Sequence, residues 1–208
     1  MTTYNFDLTI NGKNISCRAF TLEEYLNLIK AKADKVLDKT IKQLIKDCTN
    51  AKGLTKHESE LLLVNLWAHS LGEVNHTATW VCDCGNEIDV PINTNRIQIV
   101  GSSDLLYSLG GLRIQFKYPE LFDDNDIALM IAKSIDYIIV NGEQIFVDDL
   151  SDQEIDDLYS AITTEDVLKI KDMLLKPQIQ LAVPISCKCG KNHVHQITGL
   201  KEFFKVIQ

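Results

Sequence analysis

Apolar positions along the chain switch between two periods, and the switches divide it into strands and helices. Phe6, Leu8 and Ile10 alternate, Asn11-Gly12 follows, and Ile15 and Cys17 resume the alternation. Asn-Gly between alternating runs predicts a hairpin, because both residues accept the left-handed backbone of a tight turn. Thr21-x-x-Glu24 is a capping box and predicts a helix start. Apolar residues then recur every three or four positions at Leu22, Tyr25, Leu26, Ile29, Val36, Leu37, Ile41, Leu44, Ile45 and Cys48. That spacing predicts one long helix with a single buried face. Lys32, Lys35, Lys39, Lys42 and Lys46 repeat at similar spacing on another face. A second capping box, Thr55-x-x-Glu58, opens a helix that runs to about Leu71 and closes at Gly72.

Past Pro91 the pattern is irregular as far as Gly110-Gly111. Leu112, Ile114 and Phe116 then alternate as a short strand, which Pro119 breaks. Asp123 or Asp124 is placed to cap a short helix carrying Ile127, Ala128, Ile131 and Ile135. Tyr137 to Val140, Asn141-Gly142 and Ile145 to Val147 form a second hairpin pattern. Ser151-x-x-Glu154 opens another helix, and Thr163 or Thr164 opens the next, which ends before Pro177. Ile179, Leu181 and Val183 alternate again. Gly199 precedes an amphipathic turn with Leu200, Phe203, Phe204 and Ile207. The elements imply an α+β protein of amphipathic helices and short β-hairpins.

One unit occurs twice. Cys82-Asp83-Cys84-Gly85 and Cys187-Lys188-Cys189-Gly190 are both C-x-C-G, and β-prone residues flank each on both sides. Two such hairpins can offer four thiolates to one tetrahedral ion, which is the donor set of structural zinc. The Gly after each second cysteine suits the left-handed turn of a zinc knuckle. The usual knuckle spacing is C-x-x-C, and here a single residue intervenes. Cys82, Cys84, Cys187 and Cys189 are therefore the candidate metal ligands, for Zn2+ in a structural role. Two other readings fit the same residues: hairpins that keep the knuckle shape without metal, and a disulfide between them. A catalytic zinc does not fit, since four thiolates leave no open position. His193 and His195 are near enough to replace a cysteine, but the four sulfurs already complete a shell, so they are expected as exposed hairpin residues.

Composition narrows the classes. The 208 residues are 45 % hydrophobic and 24 % charged, as in an ordinary globular protein, with room for one domain. The pattern is read as a single domain over 1–208. Within it, a zinc-ribbon-like module is assembled from about 78–93 and 181–198, beside a helical part from 21–72 and 120–176. A net charge of −8 argues against general nucleic-acid binding. No apolar run reaches membrane-spanning length. Met1 to Phe6 lacks the basic and apolar regions of a signal peptide, which points to the cytoplasm and reduced thiols. Of the 6 cysteines, Cys17 and Cys48 stand outside the repeats, and Cys48 falls on the apolar helix face.

Other candidate chemistry is thin. Asp123-Asp124-x-Asp126 and the run Asp148, Asp149, Asp152, Glu154, Asp156, Asp157 lack the ligand periodicity of a calcium loop and sit at helix starts, where carboxylates cap amides. His57, His69 and His76 are scattered, with no nucleophile at motif spacing. The chain carries no P-loop, G-x-S-x-G or G-x-G-x-x-G. No enzyme activity is indicated. The lysine repeat fits either a solvated helix face or a dock for an acidic partner or phosphate. In the latter case the chain would be a zinc-ribbon regulator that binds nucleic acid.

Thr55 to Ile97 combines Leu61-Leu62-Leu63, Trp67-Ala68-His69-Ser70-Leu71-Gly72-Glu73, a Cys/Gly knuckle and Glu87-Ile88-Asp89-Val90. A helix pair from Ser151 to Leu175, the second knuckle and Ile197-Thr198-Gly199-Leu200 before Phe203-Phe204 follow. This order resembles the baseplate hub subunits and hub assembly proteins of T-even-type contractile-tailed bacteriophages, from about residue 21 onward. The motif of that family is often C-x-x-C-G, from which this chain departs by one residue. The resemblance implies a non-enzymatic tail assembly factor, needed to build the central hub of the baseplate. It implies binding to other hub or assembly proteins, as a chaperone or minor structural subunit. The expected place is the host cytoplasm during assembly, or the tail baseplate of the virion.

Overall fold

The computed structural model describes residues 4–206. Two compact units divide the chain: Met1–Val100 with Gln178–Gln208, and Gly101–Pro177. The apolar pattern predicts one domain and joins 21–72 with 120–176 in one helical part. In the structure the first of these segments belongs to one unit and the second to the other. The physical basis of the division is that each unit closes its own apolar core.

In the first unit, β1 (Asn5–Ile10) and β2 (Lys13–Arg18) pair antiparallel around Asn11-Gly12, both left-handed at φ 48° and 76°. Ile10, Ile15 and Cys17 turn inward and pack on Leu62. The run expected as one long helix is two, α1 (Leu22–Ala33) and α2 (Leu37–Cys48). Between them Lys35 is left-handed at φ 57°, and the Val36 amide donates to the Ala31 carbonyl at 3.0 Å. This is a Schellman stop built without glycine. The apolar spacing hides it, because the stripe resumes in phase after the break. A side chain at positive φ carries strain that glycine does not, so Lys35→Gly should stabilise the fold by about 0.5–1 kcal/mol. The denaturant midpoint should rise with an unchanged slope.

Helix starts follow the capping boxes. Thr21 accepts from the Glu24 amide at 3.3 Å while Glu24 accepts from the Thr21 amide at 2.7 Å. Arg18 grips the same carboxylate at 2.6 and 2.9 Å. That guanidinium, more than any other neighbour, holds the Glu24 carboxyl at about 2. A depressed folded pKa contributes stability that is present above the ordinary value of 4.5 and lost as pH falls towards 2. The melting-temperature advantage of the native protein over Glu24→Gln should therefore be constant above pH 5 and shrink between about pH 4.5 and 2.

The helix α3 (Lys56–Leu71) is the spine of this unit. Its start is fixed by the Thr55/Glu58 box and its end by left-handed Gly72. Leu62, Leu63, Val64, Leu66 and Ala68 are all buried, with Leu62 in the β1–β2 core and Val64 in the sheet core. β3 (Asn75–Val81) pairs with β4 (Glu87–Asn93), from which the sheet core takes buried Val90 and Ile92. Ala78 and Trp80 of β3 and Ile99 of β5 (Gln98–Val100) pack against that core half-buried. Pro91 sits within β4, exposed and opposite Thr77, where an unpaired edge tolerates a missing amide.

The second unit is a four-stranded antiparallel sheet, β6 (Leu106–Leu109), β7 (Leu112–Phe116), β8 (Ile135–Val140) and β9 (Glu143–Phe146), in that spatial order. Three helices accompany it: α4 (Ile127–Ser134), α5 (Asp152–Ala161) and α6 (Thr164–Leu175). Ile114, Phe116, Met130, Ile138, Leu158, Ile170 and Leu174 form its core. Three local expectations change here. The cap of α4 is Asp126, not Asp123 or Asp124, because Asp126 accepts from the Leu129 amide at 3.0 Å. Ile135 opens β8 and does not continue the helix. The irregular stretch after Pro91 contains β5 and β6, too short to show a period. Gly101 enters this unit at φ 84°, and a Cβ there would lie 2.7 Å from the Lys176 carbonyl oxygen.

The chain returns to the first unit through β10 (Gln178–Ser186), β11 (Asn192–Thr198) and α7 (Gly199–Val206). β10 lies between β11 and β5, antiparallel to both. Phe203 of α7 is buried in the sheet core. Ile207, expected on the same face, is outside the described residues. No helix among the described residues is long and apolar enough to cross a membrane.

Candidate metal centre

Strand alternation decides which cysteine of each pair points inward. Along β10 the buried residues are Ile179, Leu181, Val183 and Ile185, and Cys187 continues the phase. Along β3 the more buried positions are His76, Ala78 and Trp80, and Cys82 continues that phase. Cys82 and Cys187 are accordingly buried, at 6 % and 7 % exposure. Cys84 and Cys189, two positions on, lie in the turns and are exposed.

The two turns are built alike. The Gly85 amide donates to the Cys82 carbonyl at 2.8 Å, and the Gly190 amide to the Cys187 carbonyl at 2.9 Å. The next rung closes from the Cys82 amide to Asn86 at 2.9 Å and from the Cys187 amide to Lys191 at 2.8 Å. Gly85 and Gly190 are left-handed at φ 83° and 88°. This is the three-residue hairpin loop in which a turn is followed by a left-handed glycine. It explains how one intervening residue suffices: the turn carries the second sulfur back towards the first.

The hairpins meet with crossed pairing. Cys82 Sγ is 3.9 Å from Cys189 Sγ, and Cys84 Sγ is 3.6 Å from Cys187 Sγ. Each contact joins a buried sulfur of one hairpin to an exposed sulfur of the other, a local two-fold arrangement. All four sulfurs lie within 4.8 Å of one another, and among the described residues no other group of three or more His, Cys, Asp or Glu side chains does this. Asn86 Nδ2 is 3.7 Å from Cys187 Sγ. At the exposed tips Lys191 pairs with Asp83 at 3.1 Å. The sequence held this pairing only as opposite charges in matching loops.

The sulfurs do not hold their protons equally. The Cys189 amide and thiol, both donating to Cys187, lower that thiol to about 6. At Cys84 the Asn86 amide favours the thiolate, but its bonds to the Cys187, Cys189 and Cys82 sulfurs outweigh this and raise it to about 11. The isolated cysteines differ in kind. Cys17 and Cys48 are buried, and desolvation, their largest influence, pushes them up to about 11 and 12.

His193 and His195 do not join the sulfurs. They lie against the Trp80 ring, with centroids 5.2 and 4.7 Å away; His193 is exposed and His195 half-buried. The acidic segments serve helix starts: Asp126 caps α4, and Ser151/Glu154 and Thr163/Asp166 are capping boxes. The lysine repeat is split by the α1–α2 break, so it is not one continuous stripe.

Residues 1–205 match the family model described as T4 bacteriophage base plate protein. The chain belongs to that family. It is 56 % identical over 208 residues to "Baseplate hub assembly protein gp26" of Enterobacteria phage T4, covering 100 % of both chains. No solved structure matches it. Membership of the base plate family bears out the T-even-type resemblance carried by the two knuckles and their neighbours, and extends it to the β1–β2 hairpin, ahead of the segment first singled out.

Proposed function

We propose that this protein helps to assemble the central hub of a phage baseplate by binding other hub or assembly proteins, as a chaperone or minor subunit, without catalysis. The observation that carries this is the full-length 56 % identity to a protein named for hub assembly. Its place is the host cytoplasm during assembly and, if it stays, the virion baseplate. Affinity capture of the tagged protein from infected cells tests the reading. Hub components should co-purify, and comparison with finished particles separates chaperone from subunit. Capture of no baseplate component would overturn it.

In the same reading Cys82, Cys84, Cys187 and Cys189 hold one structural zinc and make the two hairpins a zinc-ribbon-like module. A tetrahedral ion with bonds near 2.3 Å keeps its sulfurs about 3.8 Å apart. The two crossed pairs, at 3.9 and 3.6 Å, lie on either side of that value. A disulfide needs sulfurs at about 2.05 Å, and all four cysteines are free thiols. When bound, the ion supplies a cross-link. Four sulfurs close its shell, so partner binding belongs to other surfaces.

A further inference from the structure

Among the described residues nothing covers an apolar seam along the helix α1. Leu22, Leu26 and Ile29 are 73 %, 47 % and 51 % exposed, and Ala33 is exposed as well. Their spacings of four, three and four are those of a coiled-coil seam. The opposite side of α1 is the one its own unit uses, through buried Leu28 and Ala31. The seam is thus a second apolar face on a helix that already has a core face.

The charges beside the seam specify what can cover it. Glu23 lies in the first turn and Lys30 in the last, and both are exposed. Neither side chain makes an ion pair among the described residues. They flank the seam on the same side, seven positions apart, which places them at equivalent positions of successive heptads. In a parallel pair of α1 helices this flank would face the opposite flank of the second copy, so Glu23 and Lys30 would not meet. In an antiparallel pair Glu23 meets Lys30 of the second copy, twice over by symmetry. The apolar layers then become Leu26 on Ile29 of the second copy and Leu22 on Ala33 of the second copy.

We propose that the partner of this seam is a second copy of the chain, joined to the first through antiparallel α1 helices in an isologous dimer. Such an interface is self-complementary, as two-fold symmetry requires. Beside it a groove of about 620 Å³ shares Ile29 and continues over Leu37, Ile41 and Trp67, which gives the edges of the contact further apolar surface. Four seam residues on a helix of three turns make a weak dimer, with a dissociation constant on the order of 10 µM.

Sedimentation equilibrium of the full chain between about 1 and 200 µM tests this, since the range brackets that constant. A reversible monomer–dimer equilibrium is expected. Leu26→Glu should give a monomer throughout, with unchanged helix content by circular dichroism. Glu23→Lys and Lys30→Glu should each raise the dissociation constant about tenfold, because each turns two attractive contacts repulsive. Combined in one chain, the two reversals should restore it to near the native value. A strictly monomeric native protein overturns the proposal, as does a Leu26→Glu variant that still dimerises or a double reversal that fails to restore. A native monomer whose Leu26→Glu variant no longer captures a hub protein also overturns it, and assigns the seam to that protein.

Discussion

Protein purified without chelator is expected to contain one zinc per chain, and stripping that zinc should lower the melting temperature markedly. An ion that binds only the folded chain stabilises it in proportion to the logarithm of its free concentration. At one hundred times the dissociation constant this is about 2.7 kcal/mol, or roughly 5–10 °C for a chain of this size. Cys84→Ser is the informative variant. Cys84 is exposed, so an oxygen in place of its sulfur removes a ligand and little packing. The same change at buried Cys82 or Cys187 would mix metal loss with core disruption. Cys84→Ser should melt where the chelated native protein melts and should no longer respond to chelator. A metal content near zero, or a Cys84→Ser protein as stable as the native one, would rule the centre out and leave two hairpins that keep the knuckle shape empty.

The second large effect is expected far from the cysteines in sequence. Phe116 is 1 % exposed, in the core of the unit spanning Gly101–Pro177. Truncating a buried aromatic to alanine costs about 3–5 kcal/mol, from lost burial and from the cavity left behind. In Phe116→Ala the loss should fall on that unit first. Native-state hydrogen exchange should show amides of β7, β8 and α6 losing protection while those of β10 keep theirs. Equal loss in both units would mean that the two unfold as one.

What could be read from the sequence follows the range of the interaction responsible. Asn11-Gly12 and Asn141-Gly142 announce their hairpins because the demand for positive φ is met within two residues. The capping boxes at Thr21, Thr55 and Ser151 are legible for the same reason. The stop at Lys35 is not, because a lysine in a left-handed turn leaves no compositional mark. Nor is the division into two units, since Gly101-Ser102-Ser103-Asp104 is short enough to read as an ordinary loop and Pro177 as an ordinary helix stop. At the cysteine cluster the four sulfurs are legible as a repeated motif. The crossed pairing of Cys82 with Cys189 and Cys84 with Cys187 is not, because it depends on how two hairpins face one another.

The β5–β10 ladder sets Val100 beside Gln178, so the Gly101–Pro177 unit leaves and rejoins at neighbouring points. This has a consequence for synthesis. Cys82 and Cys189 are 107 positions apart. At about 5–20 residues per second the first knuckle waits roughly 5–20 s on the ribosome for its mate. During that interval it holds two of four thiols, while the inserted unit emerges complete and is free to fold. In the proposed zinc centre the ion would close the ring only when the second knuckle appears, so the finished cross-link would also record that everything between the knuckles has been made.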